Sequence, residues 1–199
     1  ASDVYKRQKL HNMKIRLAAD LQQDSIVDGE GIRTVIWTQG CPHNCKGCHN
    51  PDTHDFNDGA LIDIEEIKQK VSKLKNQDGI TFSGGDPMCQ PKECLEIAKF
   101  AKKIGLNIWC YTGYTFEQLL ALSKLKPAIL EFLNNIDVLI DGKFILEERN
   151  LDLIFRGSSN QRIIDVKNSL IQNKACLVEK YYEQNDYNIL DHESSYVFV

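Results

Sequence analysis

Cys41, Cys45 and Cys48 stand in the stretch QGCPHNCKGCHNP (39–51), spaced C-x3-C-x2-C. The stretch holds three of the chain's seven cysteines and two of its five histidines. Thiolates gathered this closely are metal ligands first, because sulfur is the soft donor that iron and zinc accept. Gly40, Pro42, Gly47 and Pro51 make the segment a loop, whose turns can aim three sulfurs inward. A disulfide would leave one thiol idle, and an odd cysteine total fits a disulfide framework poorly. Two metal readings stand. One is a structural Cys3His zinc site, with His43 or His49 as fourth ligand, although such motifs more often come as two separated pairs. The other is a [4Fe–4S] cluster. Ferredoxin clusters take four cysteines in other spacings. Three thiolates on a four-iron cube leave one iron open, and an open coordination position can bind a substrate directly, as it does on a catalytic zinc.

These residues need strand ends to position them. RTVIWTQ (33–39) is rich in β-branched and aromatic residues, as a buried strand is. Met13 opens MKIRLAADLQ, which reads as a first strand. Over 61–74, Leu61, Ile64, Ile67, Val71 and Leu74 fall on one helical face, and Asp63 with Glu66 resembles a capping box that starts the helix near residue 64. Strands are expected at 79–85, 106–113, 136–144 and 161–166. Helices are expected at 91–105, opened by Pro91 and stopped by Gly105, and at 115–125, continuing after a break at Pro127. Strand–helix alternation implies βαβ units and a parallel sheet. A closed eight-stranded α/β barrel takes about 250 residues. With 199, the expected fold is α/β, a partial, incomplete parallel β/α barrel. In such folds the active residues sit at the C-terminal ends of the strands. The cysteine loop, SGGDPM, YTGY and DGKF all fall there.

The chain divides into an upstream extension at 1–12 that is not necessarily native, one domain at 13–174 and a C-terminal extension at 175–199. Net charge is −4 and no basic stripe occurs, which argues against extended nucleic-acid binding. No apolar run reaches the roughly 20 residues that a membrane crossing needs. No segment reads as a secretory signal, so a reducing, cytoplasmic setting is expected, where clustered cysteines serve metals or catalysis.

A C-x3-C-x2-C loop after a first strand resembles the signature of radical S-adenosylmethionine (SAM) enzymes. The resemblance implies that the open iron is chelated by the amino and carboxylate groups of SAM. It also implies that an electron from the cluster cleaves SAM to methionine and a 5′-deoxyadenosyl radical. SGGDPM (83–88) resembles the family's glycine–glycine–acidic–proline motif, implying that Gly84, Gly85 and Asp86 bind SAM near its amino group. Asp86 stands where many members carry glutamate. Alone, Asp86–Pro87 reads as a strand-to-helix turn. VDGEGIR (27–33), leading into the cysteines, is similar to the glycyl-radical-enzyme activases, with Glu30 in place of their usual proline.

WCYTGYTFEQL (109–119), IDVLIDGKF (136–144) and FRGSSNQRIIDV (155–166) resemble one branch, the activators of anaerobic (class III) ribonucleoside-triphosphate reductase. The likeness runs from about Met13 to Val166. It implies hydrogen abstraction from a glycine of the reductase large subunit, with electrons from reduced flavodoxin or a similar donor. Thr112 then lines the SAM pocket. Asp141 and Lys143, two apart on a strand and so on one side of it, lie near the SAM carboxylate and the glycine-bearing peptide. The catalytic set is Cys41, Cys45, Cys48 and Lys143. In isolation DGKF is a β-turn with a solvated lysine. Arg156, Ser158 and Asn160 either bind SAM or the partner loop, or bond within their own loop. Cys89, Cys94, Cys110 and Cys176 read as packing residues, as do Trp37 and Trp109. His43 and His49 tune the cluster's hydrogen bonding or meet the partner. The rivals are an activase of another glycyl radical enzyme, such as pyruvate formate-lyase, and a non-catalytic metal-binding interaction protein. The latter leaves the glycine-rich loops unexplained.

Overall fold

The computed structural model describes residues 13–182. The expected extension at 1–12 and the last part of the C-terminal one lie outside the described residues. Eight strands form one sheet in the order β4-β1-β3-β5-β6-β7-β8, with β2 also paired to β3. They are β1 (Lys14–Leu17), β2 (Gln22–Ser25), β3 (Arg33–Thr38), β4 (Ala60–Asp63), β5 (Gly79–Gly84), β6 (Asn107–Tyr111), β7 (Val138–Asp141) and β8 (Arg162–Asp165). Five helices follow in chain order: α1 (Ile64–Ser72), α2 (Pro91–Lys103), α3 (Phe116–Ser123), α4 (Pro127–Leu133) and α5 (Val166–Gln172).

Strands β3, β5, β6 and β7 pair in parallel, linked by crossovers through α1, α2 and α3–α4. Antiparallel strands flank this centre: β1, β2 and β4 on one side, β8 on the other. The strand path has two ends, so the sheet is unclosed, as expected for an incomplete β/α barrel.

Period-two alternation sorts the strands' side chains. Ile36, Ile80, Phe82, Ile108, Cys110 and Leu139 join the main core with α1–α4, which contribute Ile67, Val71, Ile97, Ala98, Leu119, Phe132 and Leu133. The intervening residues face the other way. There Trp109, Ile140 and Ile163 form a smaller cluster with Phe155, Tyr181 and Tyr182. Arg33 lies fully buried on this side. It donates to Thr81 Oγ1, to the carbonyls of Glu30, Ile80 and Asn107, and sits 5.2 Å from the Trp109 ring. Cys94 and Cys110 are buried packing residues, as their sequence context predicts.

Two local expectations change. Residues 60–63 are not helical: they form β4 against β1, and Leu61 is 53% exposed. The helix begins at Ile64, where the capping signal placed it, but the Asp63 carboxylate accepts from Glu65 N rather than closing the expected box with Glu66. Strand β7 ends at Asp141, and Gly142 has φ +99°, so strand alternation does not carry through to Lys143. Residues of the C-terminal extension pack on the domain. Asp165 N donates to Cys176 O and Val178 N to Ile163 O, which covers the outer edge of β8.

Candidate metal centre

The loops that leave β3, β5, β6 and β7 meet around one cavity of about 600 Å³. Cys41, Cys45, Cys48, His43 and His49 line it together with Ser83, Gly84 and Gly85. Thr112 and Gly113 line it from β6, Gly142 and Phe144 from β7, and Arg156 from the loop before β8. The sequence-predicted residues therefore converge on the C-terminal rim, apart from Asp86, Asp141 and Lys143, which do not face the cavity.

The cysteine loop is pinned at both ends. Gly40 N donates to Thr53 O and Cys41 N to His54 O, while the Gln39 amide donates to the carbonyls of Asp52 and Asp55. Within the loop, Cys48 N bonds Cys45 O, closing the turn that brings these two sulfurs to one wall. Burial pushes the Cys41 thiol up to about 11, against a bond from the His43 backbone. Burial also raises Cys45, opposed by the Phe144 backbone and by the charge of Lys143. Lys143 is thus an exposed charge close to Cys45.

Opposite the thiols lies bare backbone. A Cβ on Gly84 would meet Thr38 O at 2.5 Å, and one on Gly85 would meet Gly40 O at the same distance. Gly85 N bonds Thr38 O and Asp86 N bonds Gly40 O, so the glycine turn lies flat against the start of the cysteine loop.

The predicted carboxylates are turned inward. Asp86 is fully buried and accepts from Met88 N, Thr112 Oγ1, Gly113 N and His43 Nε2. The Thr112 hydroxyl is engaged there, and it accepts in turn from Tyr114 N. Asp141 accepts from Phe116 N and from two nitrogens of Arg162. Ser158 and Asn160 bond within their loop and to Lys143 O, and Gln161 braces Gly142 O, Gly157 N and Ser158 N. Arg156 differs. Its guanidinium stacks 4.4 Å from the Tyr182 ring, and its buried Nε has no partner among the described residues. Sequence reasoning did not single out Gln161 or the His43–Asp86 bond.

Among the described residues, no three His, Cys, Asp or Glu side chains are gathered as a single coordinated metal ion would require. Instead, the three thiols share the wall of a far larger cavity. His43 Nε2 is held by Asp86, and the His49 ring packs on Phe144 with centroids 5.0 Å apart. The soft donors on this cavity are Cys41, Cys45 and Cys48, beside the Gly84–Gly85 backbone, and sulfur is the donor that an iron–sulfur cluster takes.

Residues 27–164 match the 4Fe-4S single cluster domain. A Haemophilus influenzae protein, the anaerobic ribonucleoside-triphosphate reductase-activating protein, is 37% identical over 147 residues, covering 69% of this chain and 90% of its own. The protein of that name from Enterobacteria phage T4 is 37% identical over 149 residues, with 69% and 86% covered. This chain belongs to the anaerobic ribonucleoside-triphosphate reductase-activating protein family. Among solved structures, QueE from Escherichia coli aligns with a TM-score of 0.46 at 15% identity over 58% of each chain. The matched 4Fe-4S domain encloses the cysteine loop and all four strand-end loops of the cavity.

Proposed function

We propose that this protein activates an anaerobic ribonucleoside-triphosphate reductase by generating a glycyl radical on its large subunit. Cys41, Cys45 and Cys48 would hold a [4Fe–4S] cluster, and SAM would bind beside it. When bound, these groups supply the one-electron chemistry: reductive cleavage of SAM gives a 5′-deoxyadenosyl radical able to take hydrogen from a glycine Cα. Reduced flavodoxin, or a donor like it, would provide the electron.

The observation that carries the reading is the sharing of one cavity by three thiols and the Gly84–Gly85 backbone. A Cβ at either position would strike the backbone of Thr38 or Gly40, so only glycine lets this turn lie against the root of the cysteine loop, with its own backbone on the cavity wall. Arg156 lines the same cavity with a buried Nε free to donate to an anionic group. Asp141 contributes by holding β8 to β7, and Lys143 places a positive charge beside Cys45. The unclosed sheet leaves a side through which a partner's loop can reach the rim.

The test is anaerobic reconstitution with iron and sulfide, then SAM with a strong reductant, then the candidate reductase. A brown, oxygen-sensitive protein that forms 5′-deoxyadenosine and raises a glycyl-radical doublet in electron paramagnetic resonance is expected. A colourless, zinc-binding protein inert to SAM overturns the proposal.

A further inference from the structure

His43 falls midway in sequence between Cys41 and Cys45, and from the cavity wall its Nε2 turns to Asp86. The side chain is 6% exposed and its Nε2 is 2.7 Å from Asp86 Oδ2, a carboxylate 1% exposed. An ionised carboxylate only accepts, which assigns the proton to Nε2. Asp86 receives three further donors: Met88 N at 2.9 Å, and Thr112 Oγ1 and Gly113 N at 3.0 Å. A carboxylate has about four lone-pair sites. Four donor groups fill them, and no acceptor remains for a ligand.

The four donors come from three separate loops. His43 belongs to the cysteine loop after β3, Met88 to the turn after β5, and Thr112 with Gly113 to the turn after β6. Gly113 is bare because a Cβ there would overlap the His43 ring. Tyr114 closes the other side, edge-on with ring centroids 4.5 Å apart. The imidazole is thus fitted into a slot, with one nitrogen fixed on the carboxylate.

We infer that His43 is a positioning residue, which through Asp86 fastens the cysteine loop to the turns after β5 and β6, and that Asp86 serves as this joint rather than as a ligand to SAM. The inference rests on the cluster reading proposed above. It assigns Asp86 a role different from the one its motif implies. It also gives a reason for aspartate over glutamate: the shorter side chain keeps the carboxylate at the Met88 and Gly113 amides while His43 reaches it.

The test begins on the protein without iron, by hydrogen–deuterium exchange of His43→Ala, His43→Gln and Asp86→Asn. Loss of a hydrogen bond to a charged group should speed exchange across 40–48 at least about tenfold in His43→Ala. Glutamine places its amide nitrogen where Nε2 lies and should restore protection. Asp86→Asn presents an amide donor to four donors and should loosen both 40–48 and the Gly113 amide. In the reconstituted protein, the reduced cluster's electron paramagnetic resonance signal should shift in His43→Ala and return in His43→Gln. Unchanged exchange in His43→Ala overturns the inference. So does an Asp86→Asn protein with a raised KM for SAM and native exchange, which would make Asp86 a ligand. If Asp86→Asn does not fold, the two His43 variants decide. If wild type takes up no cluster, the proposed function fails, while the exchange measurements still judge the joint.

Discussion

Arg162 grips Asp141 with two nitrogens, at 2.9 and 2.6 Å, directly across the β7–β8 pair. Asp141 is 1% exposed, and its only other donor among the described residues is Phe116 N, at the start of α3. One carboxylate therefore joins the last parallel strand, the antiparallel edge strand and a helix. Arg162→Ala leaves that carboxylate buried with one partner. Breaking a fully buried pair costs roughly 3–5 kcal/mol, and Arg162 is partly solvated, so a loss of about 2 kcal/mol is expected. Urea unfolding monitored by circular dichroism checks it. A midpoint equal to wild type would show that Asp141 is solvated when Arg162 is absent.

Gly85 faces backbone that cannot give way. Its Cβ would lie 2.5 Å from Gly40 O, 2.8 Å from Gly40 C and 2.9 Å from Gly40 N. Gly85→Ala must displace the root of the cysteine loop, costing roughly 1–3 kcal/mol. Iron bound per chain after reconstitution should fall below wild type, while the far-ultraviolet spectrum stays native. Full iron content in Gly85→Ala would mean that the loop root tolerates the shift.

The strands and helices were legible because their signals are local. β-Branched and aromatic content marked β3, the run into glycines marked the end of β5, and Pro91 with Gly105 marked the ends of α2. Residues 60–63 misled because Leu61 fits helical spacing with Ile64, while the strand exists only through its pairing with β1, more than 40 positions earlier. Lys143 misled because Gly142 ends the strand by turning left-handed, a choice that sequence spacing does not carry. The cysteine loop announced itself by composition and spacing, and the glycine turn only by its resemblance to the family motif. The His43–Asp86 bond spans 43 positions and the Arg33–Asn107 bond 74, and no periodicity encodes such pairs. Arginine is seldom fully buried, yet Arg33 is, because strand-end carbonyls, Thr81 and the Trp109 face satisfy it.

Cluster assembly should depend on pH. Burial holds the Cys41 thiol up at about 11 and raises Cys45 as well, so both are protonated at neutrality. Iron binds the thiolate, and each bond formed releases a proton. Uptake of iron should therefore quicken as pH rises from about 7 to 9, with acid released in weakly buffered solution. Cys45→Ala should remove the cluster, and Cys176→Ser, outside the cavity lining, should keep it. Loading that is independent of pH would show that the thiols are already ionised.

Glu30 meets Lys180 Nζ at 2.7 Å and Tyr181 Oη at 2.8 Å, tying the loop before β3 to the C-terminal segment. The bond from Lys180, and then that from Tyr181, holds the Glu30 carboxyl below its ordinary 4.5. Lys180 is raised in return from 10.5, chiefly by Glu30. A lowered acid stabilises the fold above its unfolded value and loses that contribution as pH falls through its folded value, here below 4.5. A raised base contributes below its unfolded value and loses it as pH climbs through its folded one, above 10.5. The pair's contribution is thus a plateau across neutral pH that fades at both ends. Both side chains are more than half exposed, so its height is under about 1 kcal/mol. Lys180→Met should be slightly less stable than wild type at neutral pH, and the gap should close in acid and in molar salt. Denaturant titrations of the two proteins at neutral pH and well below 4.5 measure it. A gap that persists in acid would mean that Lys180 stabilises by packing on Tyr181, 4.9 Å from that ring, rather than by charge.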